Sequence, residues 1–182
     1  MIKLFNERFR INGGTVMHCK NSAGVVESVK NIIKNEMGAL GSFKIFISDS
    51  VSEKYDGGFA GSLKSKLLSD KMTVEFALKF ENDVMLTVST PDALLLNDGA
   101  FAFAGSGEAT AETLVPPFNV FISKNPRAYI NMNEYFSEIY LSKNVAPPLI
   151  TLISGPSRTA DIEKRIVKGM HGPKKIYSII LA

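Results

Sequence analysis

The sequence predicts an α/β protein built on a mainly parallel sheet flanked by helices. Two observations carry this. Short apolar, β-branched runs bounded by turn residues recur at Phe43–Ile47, Val84–Val88, Leu149–Ile153 and Ile176–Leu181, the mark of buried strands. Stretches with helical spacing lie between them, and repeated alternation of strand and helix is the pattern of an α/β sheet. The length of 182 residues suits one domain, 1–182, with a sizeable core, and no repeat, low-complexity segment or linker divides it.

Composition narrows the function classes. With 45% hydrophobic and 21% charged residues, the chain has the balance of an ordered globular protein. A net charge of +3, scattered along the chain, argues against a nucleic-acid partner. The single cysteine, Cys19, rules out an intrachain disulfide, a four-cysteine zinc site and a self-contained iron–sulfur cluster. No metal and no cofactor are expected, and a reducing, cytoplasmic setting is. The N-terminal MIKLFNERFRINGG has no apolar h-region, so no signal peptide is expected, and no apolar run reaches membrane-spanning length.

The elements follow in order. Met1–Ile11 is compatible with an edge strand or a short helix, and Asn12-Gly13-Gly14 is a turn. Val16–Cys19 reads as a short strand. Ser22 can cap a helix through about Met37 that buries Val25, Val29, Ile32 and Ile33. His18 beside Cys19 can begin a metal site, but no second pair completes it. Phe43–Ile47 is the clearest early strand, followed by the loop Ser48-Asp49-Ser50 and helical spacing over Glu53–Leu68, interrupted at Tyr55–Gly58. Met72–Phe80 has mixed period, Glu81-Asn82-Asp83 is a turn, and the strand Val84–Val88 leads to the loop Ser89-Thr90-Pro91-Asp92.

Asn97-Asp98-Gly99 reads either as a hairpin turn, since Asn and Asp tolerate positive φ and Gly favours it, or as a ligand contact. Gly105-Ser106-Gly107 follows the apolar run Phe101–Ala104, but without a third glycine it is a weak dinucleotide fingerprint. Asn119–Ile122 is a strand, Asn125-Pro126-Arg127 a turn, and Asn133 can cap a helix Glu134–Leu141.

The C-terminal quarter reads as a βαβ unit: strand Leu149–Ile153, helix Thr159–Lys168 with Ile162, Ile166 and Val167 on one face, and strand Ile176–Leu181. Parallel sheets place ligands where a strand turns into the next helix. On this reading Gly155, Ser157, Arg158 and Thr159 form an anion site, with N–H groups of the helix N-terminus and the Arg158 fork as donors. The same residues can equally be a helix cap and a surface charge. No Ser-His-Asp set, metal cluster or spaced carboxylate pair emerges, so whether the chain is an enzyme stays open.

These residues also carry a resemblance. Ser154–Glu163, SGPSRTADIE, and Gly169–Pro173, GMHGP, resemble the C-terminal signature of the LUD-domain family, in its lactate-utilisation protein C-like branch. The likeness extends upstream to about Val84. At Asn97-Asp98-Gly99-Ala100 the family has Glu-Thr-Gly-Thr, so only the glycine is kept, and both hydroxyls are lost. The resemblance implies the fold of glucosamine-phosphate isomerases, ribose-phosphate isomerases and CoA transferases, which does not by itself transfer their chemistry. It also implies an accessory role in oxidising L-lactate to pyruvate, with partner proteins that carry iron–sulfur clusters and a small anionic metabolite as ligand. His171, the one imidazole in the motif, then stands either as a hydrogen-bonding ligand contact or as part of a helix-ending turn. The alternative is a stand-alone enzyme or binding protein for a phosphorylated sugar or a CoA ester.

Overall fold

The computed structural model describes residues 2–39, 42–54, 58–69, 74–105, 107–142, 147, 149–162, 165–168 and 172–181. In chain order the elements are α1 (Ile2–Ile11), β1 (Thr15–Cys19), α2 (Ser22–Met37), β2 (Phe43–Ile47), α3 (Asp49–Lys54) and α4 (Phe59–Ser69). Then come β3 (Val74–Ala77), β4 (Val84–Ser89), β5 (Ala93–Leu95), β6 (Ala100–Gly105), α5 (Gly107–Leu114) and β7 (Phe118–Lys124). The chain closes with β8 (Arg127–Tyr129), α6 (Met132–Ser142), β9 (Leu149–Ile153), β10 (Arg158–Ile162), β11 (Arg165–Lys168) and β12 (Lys175–Leu181).

Six strands form one all-parallel sheet in the order β1-β12-β7-β4-β2-β3. A second sheet runs β8-β5-β6-β9, with β6 antiparallel to both neighbours. The α/β reading therefore holds. Alternate residues of the main sheet point to opposite sides. Ile45, Leu86, Val88, Val120 and Ile179 pack under α2 and α4 with Val29, Ile33, Leu63 and Leu67. On the other side Phe121, Ile176 and Ile180 meet Phe5 and Phe9 of α1 and Phe101 and Phe103 of the second sheet. The outer face of that sheet, Leu95 and Ala102 among it, is covered by Tyr135 and Ile139 of α6.

Several local expectations shift. Of the stretch Met1–Ile11, the described residues Ile2–Ile11 are helical, because Phe5 and Phe9 lie one turn apart and both are fully buried. The cap of α2 is Asn21, not Ser22: its φ of −157° is extended and its Oδ1 accepts from Gly24 N at 2.9 Å. Asn131, not Asn133, caps α6, accepting from Glu134 N at 3.0 Å. Gly107 opens a helix after β6, yet β6 has no parallel neighbour, so no dinucleotide-type crossover results.

The largest correction concerns the C-terminal quarter. Among the described residues no helix occupies Thr159–Lys168. Residues 158–162 and 165–168 are two short antiparallel strands, β10 and β11. β9 belongs to the second sheet, antiparallel to β6, while β12 is in the main sheet between β1 and β7. The segment is thus not a βαβ unit. Thr159, Ile162, Ile166 and Val167 are β-branched, which disfavours helix and favours strand. Over ten residues, two four-to-five-residue strands and one short helix give similar apolar spacing.

A candidate binding cleft at the sheet's switch point

Connections from neighbouring strands diverge between β2 and β4. After β2 the chain crosses through α3 and α4 to β3 at one edge, and after β4 it passes through the second sheet to β7 on the other side. A parallel sheet opens a crevice at the carboxyl ends of such strands. Here the crevice is formed by Ser48–Ser50 after β2 and Thr90–Asp92 after β4, and it encloses a cavity of about 530 Å³.

The loops are tied by side chains. Ser48 Oγ donates to Glu112 Oε1 of α5 at 2.6 Å. Ser50 Oγ donates to Ser48 Oγ at 3.0 Å and accepts from Thr90 N at 3.0 Å. Lys54 Nζ donates to the carbonyls of Thr90, at 3.3 Å, and Pro91, at 2.9 Å, and to Asp92 Oδ1, at 2.9 Å. Asp92 Oδ2 in turn accepts from Ala104 N at 2.7 Å. All three ammonium protons are thereby engaged, so Lys54 shapes the cleft rather than presenting a free charge.

Glu112 lies in this cavity. Burial raises its pKa above the usual carboxylate range, and the nearby Asp49 adds to the rise, while the Ser48 hydrogen bond opposes it. The Glu112–Ser48–Ser50 chain can therefore hold or pass a proton. Among the described residues no three His, Cys, Asp or Glu side chains gather as a metal site.

The residues singled out from sequence lie elsewhere, toward the amino edge of the main sheet, where the turn before β1 and the loop before β12 meet. Asn97–Gly99 is the turn of the β5–β6 hairpin, with Gly99 at φ +57°. Arg158 Nη2 donates to Asn12 O at 2.5 Å, and Asn12 Nδ2 donates to Asp98 O at 3.0 Å. Gly155 abuts Asn12, since a Cβ at Gly155 would stand 2.5 Å from Asn12 O. Ser157 N donates to Pro173 O at 2.8 Å. Asn12 thus gathers Asp98, Gly155 and Arg158. The helix N-terminus expected at Thr159 is replaced by the start of β10. His171 lies outside the described residues.

The LUD domain matches residues 97–181. This span, just under half of the chain, is similar to the LUD-domain family. Its relatives include Lactate utilization protein C of Halalkalibacterium halodurans, 32% identical over 81 residues, 43% of this chain and 35% of that one. Lactate utilization protein C of Shouchella clausii is 31% identical over 102 residues, 54% and 44% of the two chains. The chain covers less than half of the length of these relatives. A crystal structure of a DUF162 family protein from Deinococcus radiodurans superposes with a TM-score of 0.64 over 100% of this chain and 96% of that one, at 11% identity, a likeness of fold alone.

The LUD-domain span and the residues before it both build the cleft. The span contributes Glu112, Ser123 and Tyr135; the first half contributes Ser48, Ser50, Lys54, Thr90 and Asp92. Sequence reasoning passed over Lys54, Glu112, Ser123 and Tyr135. The one available signal was the Ser48-Asp49-Ser50 loop, placed directly after the clearest early strand. Among the described residues no helix is long and apolar enough to cross a membrane.

Proposed function

We propose that this chain takes part in lactate utilisation in the cytoplasm as an accessory component that binds a small anionic metabolite in the switch-point cleft. The single observation that carries the site is the hydroxyl-lined crevice of Ser48, Ser50 and Thr90 closed by Glu112 and the Lys54–Asp92 pair. The names of the relatives support the pathway. One cysteine cannot ligate an iron–sulfur cluster, so the redox centres of lactate oxidation would reside in partner proteins. In this reading residues 1–182 act as one domain, and the Gly155–Arg158 and Asn97–Gly99 loops hold the fold together around Asn12.

Deleting the gene is expected to impair growth on L-lactate and spare growth on pyruvate. Unchanged lactate growth and lactate oxidation in a cell with no second copy would overturn the assignment.

One observation favours a second reading. The Glu112–Ser48–Ser50 chain is the kind of arrangement a stand-alone enzyme on a phosphorylated sugar or a CoA ester would use for acid–base work. Turnover of such a substrate by the purified chain, abolished in Glu112→Gln, would establish that reading instead.

A further inference from the structure

The second sheet ends in an unguarded strand. β9 pairs on one side only, with β6, and its outward N–H and C=O groups have no main-chain partner among the described residues. Folded proteins blunt such edges with charge, brevity or proline, because a free edge recruits another strand. The other edges of the two larger sheets carry polar or charged side chains. β8 has three residues and Arg127, β3 has four and an exposed Glu75, and β1 has an exposed His18. β9 has five residues, LITLI, none of them charged and none proline.

The layers above and below this strand continue its apolar surface. Ile150 and Leu152 stand opposite Ala104 and Ala102, and so lie on the α6 side of the sheet. Glu138 of α6 reaches Arg127 of β8 at 4.0 Å. That flank of the helix faces β8, so the opposite flank, with Met132, Phe136 and Tyr140, faces β9. On the other side of the sheet Thr151 Oγ1 is 2.9 Å from Thr110 Oγ1 of α5, and Leu114 follows Thr110 by one turn. Met132, Tyr140, Leu114, Leu149 and Leu152 are each 36% to 57% exposed, and none is charged.

We infer that β9 is the contact of a homodimer, pairing antiparallel with the same strand of a second copy to make one eight-stranded sheet. Two identical antiparallel strands are related by a two-fold axis, here through Thr151, so a single patch is its own complement. A strand without charge brings no like charges together across that axis. The same axis sets the Tyr140 flank of α6 beside its counterpart. Five strand residues span about 17 Å. With the flanks of α5 and α6 the face is about 25 Å deep, and such a contact buries on the order of 1,000 Å² in total, the lower limit for a specific interface. The dimer is therefore reversible, with a dissociation constant in the micromolar range. No β9 residue lines the cleft, so pairing leaves it open, and the inference does not rest on the function proposed above.

Sedimentation velocity on the full chain over a micromolar concentration series tests it. Wild type is expected to pass from monomer to dimer, and the β9 amides to exchange more slowly as concentration rises. Leu152→Lys and Leu152→Glu each put a charge on the edge and should weaken the dimer at least ~10-fold. An equimolar mixture of the two variants should recover it, because position 152 lies diagonal to its own counterpart across the axis. Leu68→Lys, on an exposed residue of α4 on the far side of the main sheet, should leave it intact. Tyr140→Glu, on an exposed helix flank, gives the same loss should a β9 variant fail to fold. A chain that stays monomeric throughout the series overturns the inference. So does a folded Leu152→Lys or Tyr140→Glu variant that dimerises as wild type does. A monomer whose β9 amides are protected only by an added extended peptide would make the edge a docking strand for another protein instead.

Discussion

Asn12 does two jobs with one residue. Its carbonyl accepts from Arg158 and its side chain donates to the carbonyl of Asp98, so two loops far apart in sequence are held at one turn. Because Arg158 is exposed, Arg158→Ala is expected to cost only about 0.5–1.5 kcal/mol in urea unfolding. A binding defect without a stability loss would instead place a ligand at that loop. Gly99 is less forgiving. Its φ is +57°, and an added Cβ would lie 2.5 Å from Phe9 N. Gly99→Ala should therefore destabilise by at least about 2 kcal/mol, read from the same titration, because backbone strain and a clash with α1 add. Glu112 is the residue whose charge matters most. Its folded pKa is raised, so the folded state binds a proton more tightly than the unfolded chain does. The stability this gives is present below the unfolded value and is lost as pH rises through the folded one. Glu112→Gln keeps an acceptor for Ser48 and should raise the melting temperature near neutral pH, with the gap to wild type closing toward pH 4. A gap independent of pH would mean that Glu112 is not the titrating group.

At the scale of elements, α1 is held by aromatic packing. Phe101 of β6 meets Phe5 and Phe9 edge-on, each at 5.0 Å between ring centroids, and Phe121 of the main sheet at 4.9 Å. One ring therefore joins the helix and both sheets. Phe101→Ala should cost about 3–5 kcal/mol, the range for a large buried aromatic whose cavity cannot collapse. A loss under about 1 kcal/mol in chemical denaturation would mean that α1 repacks over the hole. The C-terminal hairpin carries the opposite lesson. β10 and β11 are short and rich in β-branched residues, and their apolar spacing alone does not distinguish them from a single amphipathic helix.

At the scale of the molecule, the cleft depends on two sheets meeting. Lys54 at the end of α3 reaches the loop after β4, and Asp92 on that loop reaches β6 of the second sheet. Lys54→Met removes the cationic link while keeping most of the side chain's length. Amide hydrogen exchange should then quicken at Ala104, whose N–H is held by Asp92, while the amides of β7 and β12 stay protected. Unchanged exchange at Ala104 would show that the second sheet needs no such tie.

The strands of the main sheet other than β3, whose stretch Met72–Phe80 has mixed period, and helix α2 were legible from local pattern. Phe43–Ile47, Val84–Ser89 and Lys175–Leu181 are apolar runs buried on both faces, and α2 carries a full amphipathic stripe with a cap. The hairpin at Asn97–Gly99 was legible as one of two readings, because its turn chemistry is local. The motif residues 155–158 were visible as a group, but their setting was not: whether they precede a helix or a strand is decided by what β9 and β12 pair with. The cleft was the least visible of all. Ser48, Lys54, Thr90, Asp92 and Glu112 span 65 positions from first to last and have no shared spacing. Only strand order brings them together, because the crossovers from β2 and β4 diverge and leave a crevice between them. Local sequence determines which segments bury an apolar face. Which polar groups then face one another is settled by non-local strand pairing, which no window of neighbouring residues encodes.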